Sequence, residues 1–250
     1  MKKKIAIITG ASSGLGSDFA RELDRQSLDE IWLIARREDR LLELASTLKN
    51  KAVVISLDLA RESSLKKLGQ KILREKPDIR YLVNNAGFGS TGSVYELDSD
   101  FQIKMIDLNV RALTAITLIA IPWLSKNSSV IQIASSAGFA PMANFAVYAA
   151  TKSFVLNFTL ALSEELKDRG ILVNAVCPGP VKTEFFQSGG ILKIPIHAVE
   201  SIDVVRHALK KTRQGKIISV YGLPIKIYQY IVPLIPVKLL LWATKRMKKQ

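Results

Sequence analysis

Short apolar, β-rich runs alternate with stretches of helical periodicity along almost the whole chain, and no other feature limits its fold so strongly. The runs occupy 5–9, 31–35, 52–57, 81–83, 130–134, 171–176 and 217–220. Between them, apolar residues recur at helical spacing over 15–26, 39–48, 62–76, 98–124, 147–167 and 202–211. Such an alternation implies strands buried on both faces and covered by helices. With right-handed crossovers, it predicts an α/β chain: a doubly wound parallel sheet of about seven strands with helices on both faces. No repeat or linker breaks the pattern, so one domain is expected over 1–221, followed by a basic, apolar extension over 222–250.

The first strand runs into "TGASSGLG", with Gly10, Gly14 and Gly16 between strand and helix. Glycine permits the tight turn there and lets backbone amides and a helix N-terminus approach a pyrophosphate. In this setting the spacing predicts dinucleotide binding. The second strand ends "IARRED". An acidic residue at that point binds the ribose 2′-hydroxyl of NAD, but Ala35, Arg36 and Arg37 stand here instead. A guanidinium suits a 2′-phosphate, which favours NADP(H) with Arg36 as the candidate partner. A surface arginine pair at a helix entrance is the plainer alternative.

In "NFAVYAATKSF", Tyr148 lies four residues before Lys152, on one face of a predicted helix. A lysine so placed favours the phenolate and lowers a phenol pKa that is ordinarily about 10. That is the chemistry of a proton donor tuned toward neutral pH. The pair equally fits an ordinary helix with a buried tyrosine and a snorkelling lysine.

Taken in order, Thr9-Gly10-x-x-x-Gly14-x-Gly16, Asp58-Leu59, Asn84-Asn85-Ala86-Gly87, Asn109, Ser135, Tyr148-x-x-x-Lys152 and Pro178-Gly179 with Thr183 resemble the motifs of the short-chain dehydrogenase/reductase family. The resemblance covers residues 1 to about 220 and implies a single Rossmann-type domain. It implies a catalytic set of Asn109, Ser135, Tyr148 and Lys152. Tyr148 would give a proton to a carbonyl oxygen as hydride arrives from the nicotinamide. Lys152 would depress the tyrosine pKa and hold the nicotinamide ribose, Ser135 would orient the carbonyl, and Asn109 would hold a relay water. Ser135 is preferred to Ser136 because it keeps the S-x-x-G relation to Gly138. The resemblance further assigns cofactor contact to Gly10, Ser12, Ser13, Gly14, Leu15, Gly16, Asp58, Leu59, Asn85, Ala86, Gly87, Pro178, Gly179, Val181 and Thr183. Asp58 would accept from the adenine amino group, Asn84 and Ala86 would lie along the adenosine side of the fold, partly as strand-stabilising residues, and Val181 and Thr183 would meet the carboxamide. The central motifs are also similar to those of hydroxysteroid dehydrogenases and 3-oxoacyl reductases. With Phe139, Pro141 and Met142 nearby, this suggests a lipophilic ketone or aldehyde as the small-molecule substrate. Alternatives are an NAD(H)-linked alcohol or steroid dehydrogenase, and a non-catalytic NADPH-binding regulator at a membrane surface. Members of the family are often dimers or tetramers, so a homo-oligomer is expected.

The formal charge of +14 is concentrated at one end. After Asp203 there is no acidic residue, while eleven lysines and arginines follow. Such asymmetry points to an anionic surface. No stacking platform or groove-reading motif accompanies it, so no nucleic acid is expected. Pro233, Pro236 and Lys238 interrupt the apolar segment before the terminal KRMKK, which fits an interfacial segment on anionic lipid better than a membrane span. The rival reading packs the tail over the substrate cleft or a dimer partner. A single cysteine, Cys177, fits a reducing compartment and reads as packing. His197 and His207 lack metal-ligand company, and no metal is expected. The apolar run after the initial "MKKK" is too short for a secretory core. The expected location is therefore cytoplasmic, peripheral on the inner face of the membrane. The stretch 185–201, with Gly189, Gly190 and Pro195, reads as a loop that either closes over a site or merely connects.

Overall fold

The computed structural model describes residues 2–185 and 198–246. The expectations for Gly189, Gly190, Pro195 and His197, and for the last four residues, lie outside the described residues.

Seven strands form one parallel sheet: β1 (Lys4–Thr9), β2 (Glu30–Ala35), β3 (Lys51–Ser56), β4 (Asp78–Asn84), β5 (Leu124–Ile133), β6 (Leu172–Val176) and β7 (Ile218–Ser219). Their spatial order is β3-β2-β1-β4-β5-β6-β7. The order reverses between β1 and β4, which opens a crevice at the carboxyl ends of these two strands.

The period of two along each strand feeds two cores. In β1, Ala6 and Ile8 face a layer built by Phe19 and Leu23 of α1 (Gly14–Leu23), Leu41 of α2 (Glu38–Ser46) and Val204, Val205 and Ala208 of α7 (Ser201–Arg213). Ile5 and Ile7 face the opposite layer. There they meet Leu65, Leu68 and Ile72 of α3 (Glu62–Glu75), Ile116 of α5 (Leu113–Ala120) and Leu162 of α6 (Ala146–Glu165). Each such aliphatic side chain taken fully from water contributes roughly 1.5–3 kcal/mol, which is why the strands read as continuous apolar runs.

At the amino end of the sheet, Glu30 is buried yet charged. Its carboxylate accepts from Lys3 (2.7 Å), Lys51 (3.0 Å) and Trp32 Nε1 (3.0 Å). Burial alone would push its pKa up, but these three donors outweigh it and hold the carboxyl at about 2.

Three elements differ from the sequence expectation. The helix expected over 98–124 is composite: α4 (Ser99–Ile106), a π turn at Asp107–Ala112, α5, and a 3-10 turn at Ile121–Trp123. Pro122, which lacks an N–H, sits in the tightened last turn, and Leu124 already belongs to β5. That strand starts six residues earlier than expected, because its polar "SKNSS" stretch, with Asn127 at φ +67°, hid the entry. The extension after residue 221, to which the sequence assigned no element, forms two helices, α8 (Leu223–Ile231) and α9 (Val237–Arg246). Pro224 lies in the first turn of α8 and Pro236 immediately precedes α9, positions that need no backbone donor.

Candidate active site

The turn after β1 has a steric basis. Gly10 has φ +65°, and a Cβ there would lie 2.9 Å from the Ala86 backbone. At Gly16 a Cβ would lie 2.2 Å from the Gly10 carbonyl oxygen, so helix and turn meet at contact distance. Thr9 and Asn85 brace this turn from the next strand. Thr9 Oγ1 accepts from the amides of Asn85 and Ala86, both at 3.0 Å. Asn85 Nδ2 donates to the carbonyls of Thr9 (3.0 Å) and Gly10 (3.1 Å). Asn84, expected along the adenosine, turns the other way, buried and donating to Thr117 Oγ1 at 2.9 Å. Strand alternation decides the matter: one asparagine serves the turn and its neighbour the core.

Arg37 was missed. Its guanidinium donates to Ser12 Oγ (3.2 Å), Ser13 Oγ (3.0 Å) and the Glu184 carboxylate (2.8 Å). Arg36, the sequence candidate, is exposed like Arg37, and its carbonyl accepts from Ser56. The adjacency of two arginines gave no signal for choosing between them. Glu184 also pairs with Arg40 at 3.5 Å, and the hydrogen bond from Arg37 keeps its carboxyl below the usual range. Ser12, Ser13 and Arg37 thus present donors beside the glycine turn, and they fit a phosphate group. Asp58 at the end of β3 accepts from Ala60 N (3.2 Å) and pairs with Arg61 (3.5 Å). Leu59 is buried in the core with Leu65 and Leu68, so its side chain packs rather than lining the cleft.

The polar centre lies at the carboxyl end of β5. Ser135 caps the 3-10 turn Ser136–Phe139, its Oγ accepting from Ala137 N at 3.1 Å. It lies near the Tyr148 phenol and slightly favours its ionised form. Tyr148 is buried between Phe145 (centroids 4.5 Å apart) and Phe185 (5.6 Å). Lys152 is buried one turn further along α6, its Nζ 5.7 Å from the Tyr148 ring centre and donating to the Ile133 carbonyl at 2.7 Å. Gly138 is required here: a Cβ would lie 2.7 Å from the Lys152 carbonyl oxygen.

Asn109 stands in the π turn, a local widening that recurs at functional sites. Its Nδ2 donates to the Phe88 carbonyl (2.8 Å) and to Thr151 Oγ1 (3.1 Å), and its Oδ1 accepts from Phe88 N (3.1 Å). Thr151 in turn donates to the Tyr148 carbonyl at 2.7 Å. The amide therefore clamps the segment after β4 to the tyrosine's helix. A Cβ on Gly87 would lie 2.9 Å from Asn109 Oδ1.

The electrostatics differ from the sequence expectation. Burial pushes the Tyr148 phenol up to about 12, against a smaller lowering by Ser135. Lys152 does not depress it in this geometry, because its ammonium is turned to Ile133 and is itself pushed down to about 8 by burial. Cys177 is buried beside them, its thiol pushed up to about 12, which suits packing and not nucleophilic attack. Beyond β6, the Pro178 carbonyl accepts from Ser136 N at 2.9 Å. Val181 is buried and bridges to Val199, and Thr183 faces Gly14, where a Cβ would meet its methyl at 2.9 Å. Leu15 packs half-buried against the core at the start of α1.

A doubly wound sheet with a glycine turn and a buried tyrosine, lysine and serine at the carboxyl ends of its strands defines a dinucleotide-dependent oxidoreductase. Known proteins bear this out. The family described as short chain dehydrogenase matches residues 4–190. An uncharacterized oxidoreductase of Staphylococcus epidermidis is 34% identical over 185 residues, covering 73% of this chain and 80% of its own. The NADP-dependent 3-hydroxy acid dehydrogenase of Schizosaccharomyces pombe is 35% identical, covering 73% of each chain. A short-chain dehydrogenase from Sphingobium yanoikuyae, solved with NADPH, superposes with a TM-score of 0.81 at 29% identity, over 93% of this chain and 96% of its own. The chain belongs to the short-chain dehydrogenase/reductase family, and it is an oxidoreductase that uses a nicotinamide cofactor.

Proposed function

We propose that the protein is an NADPH-dependent reductase that converts a lipophilic ketone or aldehyde to its alcohol. The observation that carries this reading is the convergence of Tyr148, Ser135 and Lys152 in one buried polar centre at the carboxyl end of β5. The bound nicotinamide would supply the hydride. Tyr148, held protonated through the neutral range by burial, gives its proton to the carbonyl oxygen as negative charge develops there. Ser135, beside the phenol, donates to the same oxygen and fixes its approach. Lys152 would hold the nicotinamide ribose, and its charge would favour the phenolate left behind. Asn109 keeps the tyrosine's helix and the Gly87–Phe88 backbone in register.

Preference for NADPH is supported by Arg37, Ser12 and Ser13 together with the absence of an acidic residue at the end of β2. A 2′-phosphate would compete with Glu184 for Arg37. The lipophilic substrate class is supported by Met142, Phe145 and Phe185 around Tyr148. Two relatives are named for related chemistry. One is the very-long-chain 3-oxoacyl-CoA reductase of Rattus norvegicus, 34% identical over 72% of this chain and 60% of its own. The other is a bulky-bulky ketone specific alcohol dehydrogenase of Comamonas testosteroni, 28% identical over 94% of this chain and 96% of its own, with a TM-score of 0.76. Exposed Ile103, Ile106, Leu118 and Phe154 on the α4–α6 side support assembly with a second copy. The same reading places the protein in the cytoplasm, at the inner membrane face.

The test is NADPH oxidation with ketones and aldehydes of increasing alkyl length. Turnover that rises with chain length supports the reading. NADPH binding without turnover of any member would contradict it and favour a regulator.

A further inference from the structure

The C-terminal helix pair is apolar on two faces. The inward face of α8 does what a surface helix must. Ile225 packs where a Cβ on Gly179 would meet it at 2.6 Å, Tyr228 lies 6.3 Å from the Phe139 ring, and Val232 is buried. These positions recur at i, i+3 and i+7. The outward face should then be polar, because no described residue covers it. It is not. Leu223, Ile227, Tyr230 and Ile231 recur at i, i+4, i+7 and i+8, followed by Leu234. Leu223 is 70% exposed, Tyr230 73% and Leu234 82%. Along α9, exposed Leu239 and Trp242 alternate with exposed Lys238 and Lys245, while Thr244 turns inward to accept from Ala143 N at 3.1 Å.

Charge selects the occupant. Residues 222–250 contain Lys226, Lys238, Lys245, Arg246, Lys248 and Lys249 and no acidic residue. A second copy seated face to face would bring two such sets together, an arrangement that repels. An anionic bilayer neutralises them while accepting the apolar side chains between the cations.

We propose that the outward face of α8 and α9 docks the protein on an anionic lipid surface. The inward face of α8 rests on Gly179 and on Phe139, the latter in the turn that Ser135 caps, and α9 is tied to Ala143. Docking therefore holds the substrate side of the site against the bilayer. Docking stands apart from the chemistry proposed above. Only its consequence, an oxo lipid drawn from the membrane, rests on that reading.

The experiment is co-sedimentation of the full chain with vesicles of phosphatidylglycerol mixed into phosphatidylcholine, and with phosphatidylcholine alone. Binding is expected on the mixed vesicles, weakened by salt, and at least tenfold poorer without the anionic lipid. Leu223→Ser, Ile227→Ser, Tyr230→Ser and Leu234→Ser together should reduce it at least tenfold. A second variant, Lys226→Glu, Lys238→Glu and Lys245→Glu, changes exposed residues only and should abolish the preference for anionic lipid. NADPH binding and turnover of a water-soluble ketone should persist in both. No association with either vesicle, or association that both variants leave unchanged, overturns the proposal. So does a wild-type dimer that the serine variant splits without any vesicle binding, because a second copy then covers the face. If vesicles bind as expected but no ketone is reduced, the reductase reading falls and the docking surface stands.

Discussion

The two ends of the sheet each bury a charge, and they treat it in opposite ways. At the amino end, Glu30 receives three donors and its ionised form is favoured, with a pKa of about 2. At the carboxyl end, Lys152 has the Ile133 carbonyl, and burial disfavours its charge, with a pKa of about 8. The first arrangement stabilises the fold. The second costs stability and leaves an ammonium ready for a better partner. A buried charge kept under-satisfied beside a glycine-lined crevice marks chemistry, whereas a fully paired one marks structure.

The largest expected effect falls on the carboxyl end. Tyr148→Phe removes the proton donor, so kcat should drop on the order of 10²–10⁴-fold while NADPH affinity, read by fluorescence titration, stays put. A variant that turns over like the wild type would remove the functional half of the contrast.

Next come paired stability measurements of opposite sign. Glu30→Gln should destabilise by about 3 kcal/mol at neutral pH, from a shift of about 2.5 pH units. Because the folded pKa is depressed, that contribution is full above pH 4.5 and is lost as pH falls toward about 2. Lys152→Met should instead stabilise the ligand-free protein by up to about 3 kcal/mol. Its folded pKa is also depressed, but for a base this means a penalty. The penalty is full below about pH 8 and is relieved as pH rises to 10.5, so wild-type stability should climb over that window. Urea unfolding across the two pH ranges checks both signs, and a destabilised Lys152→Met would break the comparison.

The smallest effect sharpens it. Arg37→Ala should lower the preference for NADPH over NADH about 10- to 100-fold, the worth of a charge-assisted hydrogen bond to phosphate, in kcat/KM ratios. Arg36→Ala should leave the ratio unchanged.

What was legible in the sequence was local or periodic. The spacing of Gly10, Gly14 and Gly16 announces a turn because only glycine fits where Cβ atoms would strike Ala86 and the Gly10 carbonyl. Tyr148 and Lys152 announce a shared helix face because four residues make about one turn. What stayed hidden depends on partners distant in the chain. Arg37 is chosen over Arg36 by Ser12, Ser13 and Glu184, the last of these 147 residues away. The Lys152 ammonium follows the Ile133 carbonyl and its own burial, neither of which spacing encodes. The π turn around Asn109 is held by Phe88 and Thr151, and apolar periodicity passes over it unbroken. The extension's composition pointed to an interface, but which residues face outward required the inward contacts of Ile225, Tyr228 and Thr244.

The most direct test of the central claim is hydride transfer itself. A lipophilic ketone would be incubated with NADPH deuterated at the transferring position of the nicotinamide, and the alcohol analysed by mass spectrometry. The account predicts one deuterium on the carbinol carbon, formed at least a hundredfold more slowly by Tyr148→Phe, on the order expected for loss of a general acid. Alcohol without deuterium, or equal rates in the two proteins, would contradict it.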